Sequence, residues 1–444
     1  MALPDPLADF VLIERAVRFG PEDVRKEEER KEEYAAAAAI GAGRWTSVAG
    51  ASRPTLLGIN PVMKPIPVLA DPPRPSCLYM LLPADAPFHF RPSPAEIATT
   101  HKGILLLRTI LNNYILYDVT TNELTAITAL PGLRDPPISV PLGSYTAVLV
   151  GDDDYVLADI VAPYNEDLSD LALPQANVFT WSKSNAGGEW VQSPVSLPLP
   201  AAICGPEHHF HIDMTFSFEG RIFWVDLLQG ILLCHLLDEG GPNLDFIPLP
   251  LGYTARVHRH RRHTLRVLCE RSIACVSGVV KFAAFVGDSE TFNGDVLLKT
   301  WALSPDFSHW TEDTKALSVS DIVASESFNQ MGLPRAMPVC PVLSMTEDGI
   351  MYALLNVIDM EPLEQLNEFG QCLGNRLLPK ANYIIRFDIR RNKILSYTTP
   401  SKDAQLRWMQ PTLLGTDFSA YLARELRTKQ QVQVEVLEHL LTSL

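Results

Sequence analysis

Three short stretches of this chain carry side chains that could do chemistry. In "EHHFHID", residues 207–213, His209, His211 and Asp213 recur at every second position, so a strand would present all three on one face. Two imidazoles and a carboxylate suit zinc or non-haem iron, with the remaining ligand supplied from elsewhere in the fold. The plainer reading is a polar connection into the next strand, and on that reading no metal and no cofactor is expected. In "RVHRHRRHTLR", residues 256–266, five arginines and three histidines fall within eleven residues of an acidic protein. Guanidinium forks bind carboxylates and phosphates bidentately, so Arg256, Arg259, Arg261 and Arg262 are the candidates for gripping a protein or acidic peptide partner. Aromatic residues for base stacking do not interleave them, which argues against nucleic acid. A solvated loop between structural units is the alternative. "GDDDY", residues 151–155, lacks the spaced oxygens and later bidentate Glu of a calcium loop and reads as a hairpin tip.

The common catalytic signatures are missing: GxSxG, HExxH, GxxxxGK[ST] and GxGxxG do not occur. Cys234-His235 lies within an apolar run, where a thiolate is disfavoured. A non-enzymatic protein is therefore expected. The competing class is a hydrolase or metal enzyme whose residues come from separate units and meet at the mouth of a channel.

The elements that must position these residues follow from composition and periodicity. Of 444 residues, 47% are hydrophobic and 20% charged, the profile of a globular protein with a sizeable core. A net charge of −15 disfavours general binding to a phosphate backbone. Seven scattered cysteines without a CxxC read as free thiols in a reducing compartment. Acidic residues precede the short apolar run at residues 10–13, unlike a signal peptide, and no run approaches the roughly 20 apolar residues of a membrane span. Cytoplasm or nucleus is expected.

Residues 1–44 read as a strand followed by a charged, Ala-rich helix over 21–43, opened by Pro21 and closed by Gly41. Residues 45–410 hold most of the 35 prolines, set between short apolar runs. "GILLLRTILNNYILYDVTTNELTAI" contains three strands, and "YTAVLVGDDDYVLADIV" and "NVFTWSKSNAGGEWV" each contain two. "GRIFWVDLLQGILLCHLL", residues 220–237, is a strand pair apolar on both faces, with "DFIPLP" as a third strand. Similar units follow at 275–319 and 346–400, and residues 55–100 supply one more. With Ile104, Val148, Ile222, Val279 and Ile350 as markers, the steps are 44, 74, 57 and 71 residues. The first is near a propeller blade's roughly 40–50 residues, and the others need insertions. A mainly β chain is expected, a β-propeller-like array of about six irregular blades, with stacked β-sandwiches as the rival. Residues 411–444 read as a helical segment with Asp417 as N-cap.

Five pieces carry a resemblance: "DFVLIERAVRF", "GRIFWVDLLQGILLCHLL", "FIPLP", "CVSGVVKF" and "KTWAL", in that order. Together they resemble the domain-of-unknown-function 1618 family, a plant group abundant in grasses. One departure is His235, where an acid is expected after the Cys. The family is similar to the propeller portions of F-box-associated and kelch-like proteins, which implies blades and implies no activity, cofactor or catalytic residue.

Overall fold

Two-residue hairpins fix the plan of the chain. At Lys102-Gly103, Glu219-Gly220 and Ser277-Gly278 both residues have positive φ, between 44° and 82°. That backbone is the tight turn whose twist matches two antiparallel strands, and glycine at its second position adopts it without strain. Each such turn joins the first and second strands of an antiparallel sheet whose main path has four strands.

The computed structural model describes residues 9–21, 63–82, 95–109, 113–131, 139–143, 146–151, 154–165, 170–171, 174–184, 189–205, 208–237, 240–250, 264–287, 296–362, 375–400 and 413–422. They form a mainly β, six-bladed propeller. Blade 1 comprises Ala95–His101, Ile104–Thr109, Tyr114–Asp118 and Glu123–Ile127. Blade 2 has Ala147–Val150, Tyr155–Asn165, Gln175–Ser182 and Val191–Ser196 on its main path. Blade 3 has Met214–Phe218, Arg221–Asp226, Gly230–His235 and Asn243–Pro248. Blade 4 has Arg271–Val276, Val279–Val286, Leu297–Leu303 and Trp310–Glu312; blade 5 has Pro338–Leu343, Ile350–Pro362, Asn375–Asp388 and Lys393–Thr398.

Blade 6 closes the ring from both ends of the chain. Val11–Glu14 pairs antiparallel with Leu413–Thr416 on one side. On the other side it meets Ser76, through Glu14 N–H to Ser76 O at 2.9 Å and Ser76 N–H to Leu12 O at 2.6 Å. The ladder continues as Arg18–Pro21 parallel to Cys77–Leu82, which in turn pairs with Lys64–Val68. Between those two runs the chain turns toward blade 1. Val17 N–H donates to Ala95 O, Ile97 N–H to Arg15 O, and the buried Arg15 guanidinium to Ile97 O and Ala98 O at 3.0 and 3.2 Å. The unit expected at 55–100 is thereby divided, with 64–82 in blade 6 and Ala95–His101 opening blade 1.

The doubly apolar strands follow from radial packing. Ile222 and Trp224 lie in the core between blades 2 and 3, while Phe223 and Val225 lie in the core between blades 3 and 4. Leu232 and Cys234 repeat the first assignment and Ile231 and Leu233 the second. Alternation directs successive side chains to opposite faces, and a blade with neighbours on both faces needs both apolar. Six such clusters each occupy one blade-to-blade interface. Gly230 is required by close approach, since a Cβ there would lie 2.5 Å from Ile247 O and 2.6 Å from the Phe246 ring.

Pro21, expected to open a helix over 21–43, instead ends the strand Arg18–Pro21, and the rest of that helix lies outside the described residues. Within the helical segment expected at 411–444, Leu413–Thr416 is a strand and Phe418–Tyr421 a single 3-10 turn, with Asp417 at its N-cap position but making no side-chain cap bond. Three short helices inside the propeller were not expected: α1 (Thr264–Glu270) before blade 4, and α2 (Val319–Ala324) and α3 (Glu326–Gln330) between blades 4 and 5. Ser318 and Ser325 cap the last two, accepting from Asp321 N–H and Phe328 N–H. Among the described residues no helix is long and apolar enough to cross a membrane.

Candidate functional site: the axial cavity and its approaches

The first strands of five blades surround a cavity of about 480 Å3 on the propeller axis. Blade 1 contributes Thr99, Thr100 and Lys102, blade 3 Ser217 and Glu219, and blade 4 Arg271 and Cys275. Blade 5 contributes Cys340 and Met345, and the closing strand Leu413–Gly415, followed by Asp417 and Tyr421. The lining is therefore apolar along the walls, with charges of both signs. Arg15, from the ring-closing segment, also faces it.

Burial shifts several titratable groups here toward their neutral forms. Burial, aided by Lys102, lowers His101 to about 4, and its Nδ1 accepts from Val150 N–H at 2.9 Å. The imidazole is thus uncharged at neutral pH and joins blade 1 to blade 2. Burial pushes the Cys275 thiol up to about 11 and raises the Asp417 carboxyl. Burial also lowers Arg271, an effect opposed by Glu270, Asp226 and Asp213.

The His209, His211 and Asp213 alternation does not form on one strand. His208–His209 is a two-residue strand paired with Cys204–Gly205, and the next strand begins only at Met214. Asp213 is fully buried and its Oδ2 accepts from Leu227 N–H at 2.9 Å, while its own N–H donates to Val225 O. Neighbouring Asp226 accepts from His211 N–H, Leu228 N–H and Gln229 N–H at 2.8, 2.8 and 3.1 Å. Arg271 donates to Leu227 O at 2.8 Å. These groups organise the 226–229 turn of blade 3, where an unpartnered amide would be costly. Among the described residues no three His, Cys, Asp or Glu side chains are grouped to hold a metal ion.

Arg256, Arg259, Arg261 and Arg262 lie outside the described residues. The structure brackets them between Leu249 and α1, whose Val267, Leu268 and Cys269 are buried. The hairpin expected at 151–154 forms, pairing Ala147–Val150 with the start of Tyr155–Asn165. Among the described residues six cysteines are outside any disulfide, and Cys77, Cys234, Cys269 and Cys340 of these are buried.

Among the buried acids that sequence reasoning missed is Asp159 in blade 2. Its Oδ2 accepts from Thr146 Oγ1 at 2.6 Å and its Oδ1 from Ile160 N–H at 2.8 Å, and Tyr114 Oη lies 2.9 Å from Thr146 Oγ1. Burial outweighs these bonds and raises the carboxyl to about 6. The folded state therefore binds a proton more tightly than the unfolded chain. The stability from this proton is complete at low pH and is lost as pH rises through about 6. Asp159→Asn cannot ionise. The unfolding free energy of the wild type minus that of the variant is expected to fall by about 2 kcal/mol between pH 4 and pH 7. Urea titrations at both pH values measure it, and a flat difference would show that Asp159 titrates alike in both states.

Six radial blades around an axial cavity, closed by paired terminal strands, define the class: a β-propeller. Within it, residues 224–352 match the family model described as "Protein of unknown function (DUF1618)". The match begins in the second strand of blade 3 and ends in that of blade 5. It includes His235, whose Nε2 lies 3.2 Å from Asp245 Oδ2 and whose Nδ1 lies 3.4 Å from Arg221 Nε. No curated protein matches the chain. Among solved structures, it is similar to the β-propeller domain of Cps50 (Swd1) from Myceliophteria thermophila, at 6% identity and TM-score 0.30, covering 70% of this chain and 89% of that one. It is also similar to the WD40 domain of SCAP from fission yeast, at 10% identity and TM-score 0.27, covering 70% and 62%. A third is an exo-beta-1,3-galactanase from Phanerochaete chrysosporium, solved with galactose, at 8% identity and TM-score 0.30, covering 70% and 67%.

Proposed function

We propose that this propeller is a non-enzymatic interaction module of the cytoplasm or nucleus that holds a protein or acidic peptide through the connection between blades 3 and 4. The observation that carries this reading is the arginine run, residues 256–266, in a chain of net charge −15, entered from the buried Leu249 and leaving into the buried face of α1. A segment anchored at both ends loses less conformational entropy on binding than a free tail. Arg256, Arg259, Arg261 and Arg262 supply forked donors for carboxylates.

The test is affinity capture from native extract, with the wild type beside Arg259→Glu/Arg261→Glu/Arg262→Glu. The variant is expected to lose about tenfold or more of the captured partner with an unchanged melting temperature. Equal capture by both proteins would remove the segment, and retention of RNA in place of a protein would overturn the partner class.

The 480 Å3 cavity supports a second reading, a hydrolase or metal enzyme at the channel mouth. Stoichiometric zinc or iron in the purified protein, lost in His209→Ala/His211→Ala, would transfer the assignment to it.

A further inference from the structure

Two thiols that are 71 residues apart in sequence meet beside the axial cavity. Cys269 Sγ and Cys340 Sγ lie 3.4 Å apart, and both side chains are buried. Cys269 belongs to α1 and Cys340 to the first strand of blade 5. They share a core cluster with Phe10, Leu12 and Leu413, so the pair sits against the seam where the N- and C-terminal strands close the ring. Cys340 also lines the cavity, which gives a small, neutral reagent a route to the sulfurs.

We propose that Cys269 and Cys340 are a reversible dithiol–disulfide site, oxidised by hydroperoxides that enter the axial cavity, and that the disulfide fastens α1 to blade 5. A disulfide requires sulfurs about 2.05 Å apart, so the pair must close by a little over ~1 Å. The register of the first strand of blade 5 shifts between Val339 and Val342, and Cys340 there has a φ of +53°. An irregular strand adjusts to such a movement more readily than a regular ladder.

The chemistry balances with one peroxide. The sulfur of one cysteine attacks a peroxide oxygen, breaking the O–O bond to give a sulfenic acid and one water, or an alcohol from an alkyl hydroperoxide. The second sulfur then attacks the sulfenic sulfur, forming the S–S bond and releasing a second water. Two electrons pass from the thiols to the peroxide. The Cys340 thiol donates its hydrogen bond to Cys269, and that bond holds Cys269 below the usual thiol range while raising Cys340. Cys269 is thus the readier thiolate. External thiols reverse the reaction by exchange.

The full-length protein, fully reduced and freed of reductant, is treated with a few equivalents of hydrogen peroxide. Titration of denatured protein is expected to show the thiol count falling from seven to five. Mass spectrometry of unreduced peptides should find one cross-link joining Cys269 and Cys340. The melting temperature should rise by about 2–5 °C and return on adding dithiothreitol, because the cross-link closes a long loop in the unfolded chain. Cys269→Ser and Cys340→Ser should each abolish both the cross-link and the shift. Unchanged thiols, a cross-link between other cysteines, or sulfinic acid at either residue without a cross-link would overturn the proposal. Should the serine variants fail to fold, the wild-type peptide map alone decides between these outcomes.

Discussion

Ile13→Asp is expected to abolish the folded state. Ile13 is fully buried, and its side chain lies in the core between blades 6 and 1 beside Leu78, Ile97 and Tyr117. Its backbone faces Leu414 on one side and Ser76 on the other. Truncating a buried Ile costs about 2–5 kcal/mol, and an unpaired buried carboxylate adds several more. Their sum is comparable to the whole stability of a typical domain, about 5–15 kcal/mol. Ile13→Val, which keeps the shape, is expected to cost only about 1 kcal/mol. Asp9→Ala, at an exposed position just before the strand, should change stability by less than about 0.5 kcal/mol. Urea unfolding followed by tryptophan fluorescence ranks the three. If Ile13→Asp unfolds at the wild-type denaturant concentration, residues 11–14 do not close the ring.

That seam also marks where the sequence stopped being informative. Strand pairs within 103–127, 145–161 and 220–250 could be read directly, because their partners are a short turn away and the apolar alternation records both neighbours. "IFWV" announces two cores through its own side chains. The pairing of Val11–Glu14 with Leu413–Thr416 leaves no such record: both strands have four residues, and their register depends on four hundred residues of intervening ring. The marker spacing was irregular for a second physical reason. Val148 lies on the first strand of its blade, whereas Ile104, Ile222, Val279 and Ile350 lie on second strands. The turn glycines preceding those four, Gly103, Gly220, Gly278 and Gly349, were the better signal, since all have positive φ. The helices α2 and α3 were also within reach, because Ser318 and Ser325 stand where helix caps belong, but each helix is too short to develop an apolar period. For the candidate site, the chain shows that arginines are concentrated at 256–266; only the fold shows which surfaces hold that segment at its ends.

Asp226→Ala is expected to be the most damaging substitution of a polar residue in blade 3, and the reason bears on how buried acids should be read. Asp226 is completely buried and sits at the end of the strand Arg221–Asp226. Its two oxygens accept from three backbone amides, those of His211, Leu228 and Gln229. Alanine would leave the His211 and Leu228 amides facing a vacated, water-poor space, whereas Gln229 N–H also donates to the backbone O of residue 226 at 3.2 Å and keeps that bond. At about 1–3 kcal/mol for each of the two orphaned donors, with partial relief as the turn relaxes, the loss should reach about 2–5 kcal/mol. Asp226→Asn retains one acceptor oxygen and sets an NH2 group against an amide, so it should cost about half as much. Urea unfolding gives the totals, and hydrogen exchange at His211 and Leu228 localises them, with protection lost there before it is lost in blades 1 and 2. A loss below about 1 kcal/mol for alanine would mean that water replaces the carboxylate. The same logic explains why Asp213 resembled a metal ligand: from sequence, an acid two residues from a histidine offers its charge outward, whereas here the charge is turned inward to fasten the turn that carries Leu227.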